Sequence, residues 1–370
     1  MIRYESVFVE QVLAKEYAVL MQALLKSMQG LNDIKPLIRD FEQEFAQYIG
    51  VRHALAVNSG SDGLRLVLRA AGVGPGDEVI IPDLTYQAVA LAVVYSGARP
   101  VIADASEDDL NISPAIVDRL VTPRTKAIIA AHMFGRGCHL DALQEICTRR
   151  GIVLIEDVCQ AESSTYKGRM LGSFGDLAVF SFSYYKPLSS CGGGGGMVAF
   201  NRQEFCSIAD WQNDWQDKPE LLTNGQRFAP LSFMDLVALK VKFSHLKKIV
   251  DSRKKIKGIY ERALKDVPGL ELFMDPPSTE SVPQNFVVAC ERRDEFMRYL
   301  SEKDIMAQKP YIPLHLMSAY RTFSGTHYPV SERYYQKALH LPLYSFMSEE
   351  KALRVVAVCR AFFGAKAGQK

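Results

Sequence analysis

Residues 126–157 read KAIIAAHMFGRGCHLDALQEICTRRGIVLIED, and this stretch decides the fold. Lys126–Ala130 is a short apolar run and Ile152–Ile155 is another, each short enough to be a buried strand. Between them Leu140–Arg150 has the apolar period of a helix. The same alternation extends upstream. His53–Val57, Glu78–Ile81 and Arg99–Ala103 read as strands, and Asp62–Ala71, Tyr86–Ser96 and Pro114–Leu120 as helices. Downstream, Leu177–Ser183 and Met197–Phe200 are two further strands. Strand and helix in regular alternation predict an α/β fold with a mostly parallel sheet covered on both faces.

Past about Asn201 the pattern changes. Met234 to Leu264 reads as one or two long helices with a lysine-rich face at Lys247, Lys254, Lys255 and Lys257. Glu271 to Lys370 mixes short strands with helices. The expected division is a large α/β domain over residues 1–244 and a smaller α+β domain over 245–370, a reasonable partition of 370 residues.

Composition excludes several classes. Lys and Arg number 44 against 42 Asp and Glu, a net charge of +2, with no basic tract that could follow a nucleic-acid backbone. The seven cysteines lack CxxC spacing, which argues against zinc and a disulfide framework and fits a reducing cytoplasm. No run of about 18 apolar residues predicts a membrane span.

In open parallel sheets, ligands bind beyond the carboxyl ends of the strands, where three groups fall. Asn58-Ser59-Gly60-Ser61-Asp62 follows a strand and opens a helix, an arrangement whose backbone N–H groups can face an anion. Ser and Asp also cap helices with no ligand present. Glu156-Asp157 closes Gly151–Ile155, and a carboxylate there can hold a ring N–H⁺, a metal or a structural ion pair. Gln160 follows on the same turn. The third group is Ser181-Phe182-Ser183-Tyr184-Tyr185-Lys186-Pro187, ahead of the run Gly192–Gly196. A lysine beside aromatics can have its ammonium partly desolvated, which favours the nucleophilic amine, whereas the ordinary lysine is simply exposed. Pro187 biases Lys186 toward an extended backbone, and the glycines permit close backbone approach. Tyr86 can stack on a planar ring. His132 reads as orienting its loop rather than as a catalytic group.

Taken in order, these segments resemble the DegT/StrS group of sugar-nucleotide aminotransferases, which use pyridoxal 5'-phosphate (PLP) on the fold-type-I architecture. Ser59–Leu64 is similar to the group's SGTxAL loop, residues 74–80 match GPGDEVI, and residues 122–128 resemble TPRTKAI. Glu156-Asp157 with Gln160-Ala161 matches EDxxQA, and Phe180-Ser181-Phe182 through Lys186 matches FSF…K. Residues 313–316 and 341–344 resemble PLHL and LPLY. Pro187, Cys191, Gly193 and Lys309 depart from the usual residues, as does the spacing around Arg227.

The resemblance implies an enzyme in which Lys186 carries PLP as a Schiff base and moves protons, while Asp157 pairs with the pyridinium. Gln160 contacts the ring hydroxyl, Tyr86 stacks on the ring, and Ser61, Asp62 and Ser181 bind phosphate. It also implies a homodimer in which Asn224 and Arg227 reach the neighbour's phosphate, with no metal. The implied reaction moves an amino group from an amino acid, L-glutamate, to a nucleotide-linked keto-sugar. The alternatives are a keto-cyclitol or other carbonyl acceptor, or a PLP-binding regulator that no longer turns over. In related dehydratases His replaces the lysine, which Lys186 argues against.

Overall fold

The computed structural model describes residues 34–364 except 192, 207, 209–230 and 326, with a few positions before residue 34. The strands in chain order are β1 (His53–Val57), β2 (Glu78–Pro82), β3 (Arg99–Ala103), β4 (Thr125–Ala131) and β5 (Val153–Asp157). A short hairpin, β6 (Thr165–Tyr166) and β7 (Arg169–Met170), precedes β8 (Leu177–Ser181) and β9 (Gly196–Phe200). Seven of these form one sheet in the order β1-β9-β8-β5-β4-β2-β3. Strands β3, β2, β4, β5 and β8 pair in parallel, and β9 runs antiparallel to both β1 and β8. The mostly parallel α/β sheet expected from the alternation is therefore present.

Both faces of the sheet are covered, which is why β2 and β4 read as continuous apolar runs instead of alternating. One face packs under helix Lys35–Ile49, whose Phe45 meets Phe180 edge to face at 5.0 Å. The other packs under helices Gly60–Ala70 and Ala88–Tyr95. Each Val, Leu or Ile fully buried there contributes about 1.5–3 kcal/mol. Gly151 ends helix Leu140–Arg150 at φ +67, a left-handed cap that turns the chain into β5.

Met234–Leu264 resolves into two helices, Phe233–Ser244 and Leu246–Leu264, separated at His245. Beyond them lie β10 (Glu271–Leu272), β11 (Thr279–Glu280), β12 (Phe286–Ala289) and β13 (Ala338–Leu341). β10, β12 and β13 form a small antiparallel sheet with its own core around Tyr260, Phe286, Phe296 and Leu341. The Tyr260 hydroxyl donates to the Pro342 carbonyl at 2.8 Å, so this buried phenol is satisfied.

A third sheet joins the two regions. β11 pairs with β6 of the hairpin, Thr279 opposite Tyr166. Val282 N–H then donates to Ser164 Oγ at 2.9 Å. Gly135 makes room for the same segment: a Cβ there would stand 2.8 Å from the Val282 carbonyl oxygen. Residues 281–285 are thereby laid against the end of the main sheet.

Candidate active site

A cavity of about 500 Å³ opens where the parallel strands end. Its walls come from the turns after β1, β2, β4, β5 and β8, as the crevice rule for such sheets requires. Ser61, Tyr86, Asp157, Gln160, Ser181 and Lys186 all line it. Six residues spread over 126 positions of sequence thus share one space.

The floor is the start of helix Gly60–Ala70. Ser59 caps it, its Oγ accepting from Asp62 N–H at 3.1 Å. Gly60 sits hard against the end of β8: a Cβ there would lie 2.8 Å from Ser181 Cβ and 3.1 Å from Cys159 Sγ. Gly196 is equally confined, 2.8 Å from Gly60 N by the same construction. The glycines let the helix terminus close on the strands, leaving the Ser61 and Ser181 hydroxyls at the cavity edge. Asp62, which the resemblance places at the phosphate, is turned toward partners on its own helix. It is absent from the cavity wall, its N–H is taken by Ser59, and its carboxylate pairs with Arg65 at 3.2 Å. An acidic side chain turned back along its own helix keeps its charge away from an anion.

β5 runs two residues further than the sequence pattern indicates, so Glu156 and Asp157 are its last residues and alternate in direction. Glu156 is wholly buried and serves structure. It accepts from Gly172 N–H at 2.8 Å, Phe174 N–H at 2.8 Å and Gly175 N–H at 2.6 Å, and it meets His132 Nε2 at 3.0 Å. Burial alone would raise this carboxyl, but His132 and the Gly175 and Gly172 amides outweigh it and hold it below the ordinary range. His132 Nδ1 accepts from Cys138 N–H at 3.1 Å, so its ring ties two loops together, the orienting part read from the sequence. Asp157 faces the cavity, its Oδ1 held by Cys159 N–H at 3.0 Å.

Tyr86 stands on the loop after β2, two residues before helix Ala88–Tyr95 begins, and not on the helix itself. Its ring is half exposed and meets Tyr311 at 5.8 Å, so the two tyrosines form one aromatic wall of the cavity.

Lys186 lies in a turn past β8, its N–H donating to Ser183 O at 3.0 Å. Its Nζ donates to Gln284 Oε1 at 3.0 Å. Gly193, at φ +73, packs under the neighbouring Tyr184, whose ring would lie 2.2 Å from any Cβ there. The glycine run therefore permits close approach at both Gly193 and Gly196. Two nearby residues were not singled out in the sequence. Gln284 arrives from the segment before β12 with no motif to mark it. Glu162, two residues past Gln160, is buried; its Oε2 accepts from Leu188 N–H at 3.2 Å, and its Oε1 has no hydrogen-bond partner among the described residues. Burial pushes its carboxyl up to about 8, against the opposing pull of Lys186, the Leu188 amide and Arg253. Asn224 and Arg227 lie outside the described residues.

A planar ring bearing an aldehyde and a phosphate fits these walls: an amine to combine with, a carboxylate for a ring N–H⁺, hydroxyls and a helix terminus for the phosphate, and an aromatic wall. An amine, a carboxylate and a hydroxyl-lined helix terminus gathered at the strand ends suit an α/β enzyme of the aminotransferase class. The chain belongs to the DegT/DnrJ/EryC1/StrS aminotransferase family, whose pattern matches residues 12–360. It is an aminotransferase, of a PLP-dependent type. The dTDP-3-amino-3,4,6-trideoxy-alpha-D-glucose transaminase of Streptomyces venezuelae is 35% identical over 88% of this chain and 86% of its own length. The UDP-N-acetyl-3-dehydro-alpha-D-glucosamine 3-aminotransferase of Acidithiobacillus ferrooxidans is 33% identical, over 87% of each chain. The crystal structure of S. venezuelae DesV with a ketimine intermediate superposes with a TM-score of 0.91 at 32% identity, covering 98% of both chains.

Proposed function

We propose that this aminotransferase moves an amino group from L-glutamate to a nucleotide-linked keto-sugar, using PLP held at the strand ends. The observation that carries the reading is the shared cavity in which the Lys186 amine and the Asp157 carboxylate both face the Ser61–Ser181 floor. When bound, PLP supplies a ring that draws electrons from the substrate carbon. The rest is the work of side chains. Lys186 Nζ would be the amine that holds the cofactor and, when free, would take and return a proton. Asp157 would hold the ring nitrogen in its protonated form. Ser61, Ser181 and the amides opening helix Gly60–Ala70 would receive the phosphate, with Tyr86 beside the ring and Gln160 at its oxygen.

The acceptor class is supported by the relatives, named for dTDP- and UDP-linked sugars. The exposed rings of Tyr184 and Tyr185 give the cavity an aromatic mouth suited to a sugar or base. Among the described residues, Lys186 is the one Lys or Arg lining the cavity. Among the described residues no further cation faces a phosphate there, and in the reading taken from the family resemblance Arg227 or Asn224 of a second copy would supply the contact in a homodimer. All seven cysteines are free, and no helix among the described residues is long and apolar enough to cross a membrane. Both facts are in keeping with work in the cytoplasm.

The test is a panel of dTDP-, UDP- and GDP-linked keto-sugars incubated with the PLP-loaded protein and L-glutamate. One of them should yield an amino-sugar with an equal amount of 2-oxoglutarate. Turnover only of keto-cyclitols or simple carbonyl acceptors would replace the sugar-nucleotide reading.

A further inference from the structure

Gln284 belongs to none of the strand ends that build the rest of the site. It arrives on the segment joining β11 to β12, which is anchored at every step. β11 is paired with β6, and Val282 N–H is held by Ser164 Oγ at 2.9 Å. Arg253 then grips the next two residues. This buried side chain of helix Leu246–Leu264 donates from Nη1 to Pro283 O at 3.1 Å and to Gln284 O at 3.2 Å, while its Nε donates to Ser345 Oγ at 2.8 Å. With its backbone fixed, the Gln284 side chain enters the cavity and its Oε1 accepts from Lys186 Nζ at 3.0 Å.

We propose that Gln284 is the positioning residue for the free amine of Lys186: an uncharged acceptor, aimed by the Arg253 clamp, against which Nζ rests whenever it is not combined with a carbonyl. The inference rests on reading Lys186 as the reactive lysine. That lysine has to alternate between ammonium and amine, since it is in turn a proton carrier and a nucleophile. A carboxylate in direct contact would favour the ammonium and hold the proton. The amide oxygen of Gln284 accepts from either form, so it fixes the direction of Nζ and leaves the proton mobile. Two carboxyls stand near without a hydrogen bond to Nζ among the described residues: Asp157, across the same cavity, and the buried Glu162. Glu162 reaches Lys186 through space, and from the surrounding elements Arg253, Tyr48 and Cys159 also face that carboxyl. Among the described residues its carboxylate accepts from the Leu188 amide, so it steadies the loop just beyond the lysine.

The experiment is competitive acetylation of the full chain, stripped of cofactor, with trace acetic anhydride across a range of pH. Mass spectrometry follows the Lys186 peptide, and the exposed Lys247 serves as internal reference. Relative to wild type, Gln284→Glu should raise the pH at which Lys186 becomes reactive by about one unit or more, because a charged acceptor favours the ammonium. Gln284→Leu should lower it, and Lys247 should not move. If circular dichroism shows that the leucine variant does not fold, the near-isosteric glutamate variant decides alone. An unchanged Lys186 midpoint in folded Gln284→Glu would overturn the proposal. Should reduction with borohydride instead fix the cofactor on a different lysine, the reading of Lys186 fails while the midpoint comparison still reports the Gln284 contact.

Discussion

Gly60 and Ser181 meet so closely that a Cβ on residue 60 would lie 2.8 Å from Ser181 Cβ, with Cys159 Sγ 3.1 Å away. The first neighbour is a Cβ fixed to strand backbone, so it yields little. Gly60→Ala should therefore displace the helix opening from the end of β8 and spread the hydroxyls and amides assigned to the phosphate. The expected result is a loss of PLP affinity of roughly tenfold or more, on the order of one to two hydrogen bonds to a charged group. Fluorescence titration with PLP checks it; unaltered affinity in a folded variant would detach the phosphate from this floor.

The alternation of Glu156 and Asp157 separates structure from chemistry, and paired variants expose it. Asp157→Asn should melt close to wild type and still bind PLP, yet lose turnover by roughly ten- to hundredfold, as a charge-assisted contact to the ring nitrogen is weakened. Glu156→Gln should do the reverse. It weakens three backbone hydrogen bonds and the His132 contact in a fully buried place, costing about 2–5 kcal/mol. Denaturant melts beside turnover of the folded fraction distinguish the two; equal behaviour of both variants would refute the division.

Glu162 makes stability depend on pH. Burial raises its carboxyl from 4.5 in the unfolded chain to about 8 in the fold, so the folded protein holds a proton that the unfolded chain releases. The associated stability is complete below about pH 4.5 and is lost as pH rises through 8. Between pH 5 and 8 the cofactor-free wild type should lose a few kcal/mol more than Glu162→Gln does. Urea midpoints at the two pH values measure the difference; parallel losses in both proteins would show that the carboxyl ionises as freely in the fold as in water.

Much of this site was legible in the sequence because parallel sheets put function at strand ends, and strand ends are visible as the close of an apolar run. Asp157, Ser181 and Lys186 fall at or just past strand ends by that rule, and the resemblance supplies the role expected of each. Asp62 shows its limit: an acidic residue in the first turn reads as a site or a cap, and only the geometry reveals that Arg65 takes its carboxylate. Tyr86 was assigned to a helix that begins at Ala88, since an apolar pattern does not mark where a turn releases the chain. Gln284 was invisible. It stands 98 positions from Lys186 and is delivered by β11, Gly135 and Arg253, long-range contacts that leave no local pattern. Asn224 and Arg227 rest on resemblance alone.

The account centres on Lys186 as the residue that carries the cofactor, and one measurement addresses it directly. Wild-type protein loaded with PLP is reduced with borohydride, digested, and mapped by mass spectrometry, with Lys186→Ala treated in parallel. The reduced phosphopyridoxyl group should be found on the peptide containing Lys186, in about one copy per chain. The folded alanine variant should retain none and should not transaminate. A phosphopyridoxyl group on any other lysine, or transamination by Lys186→Ala at the wild-type rate, would contradict it.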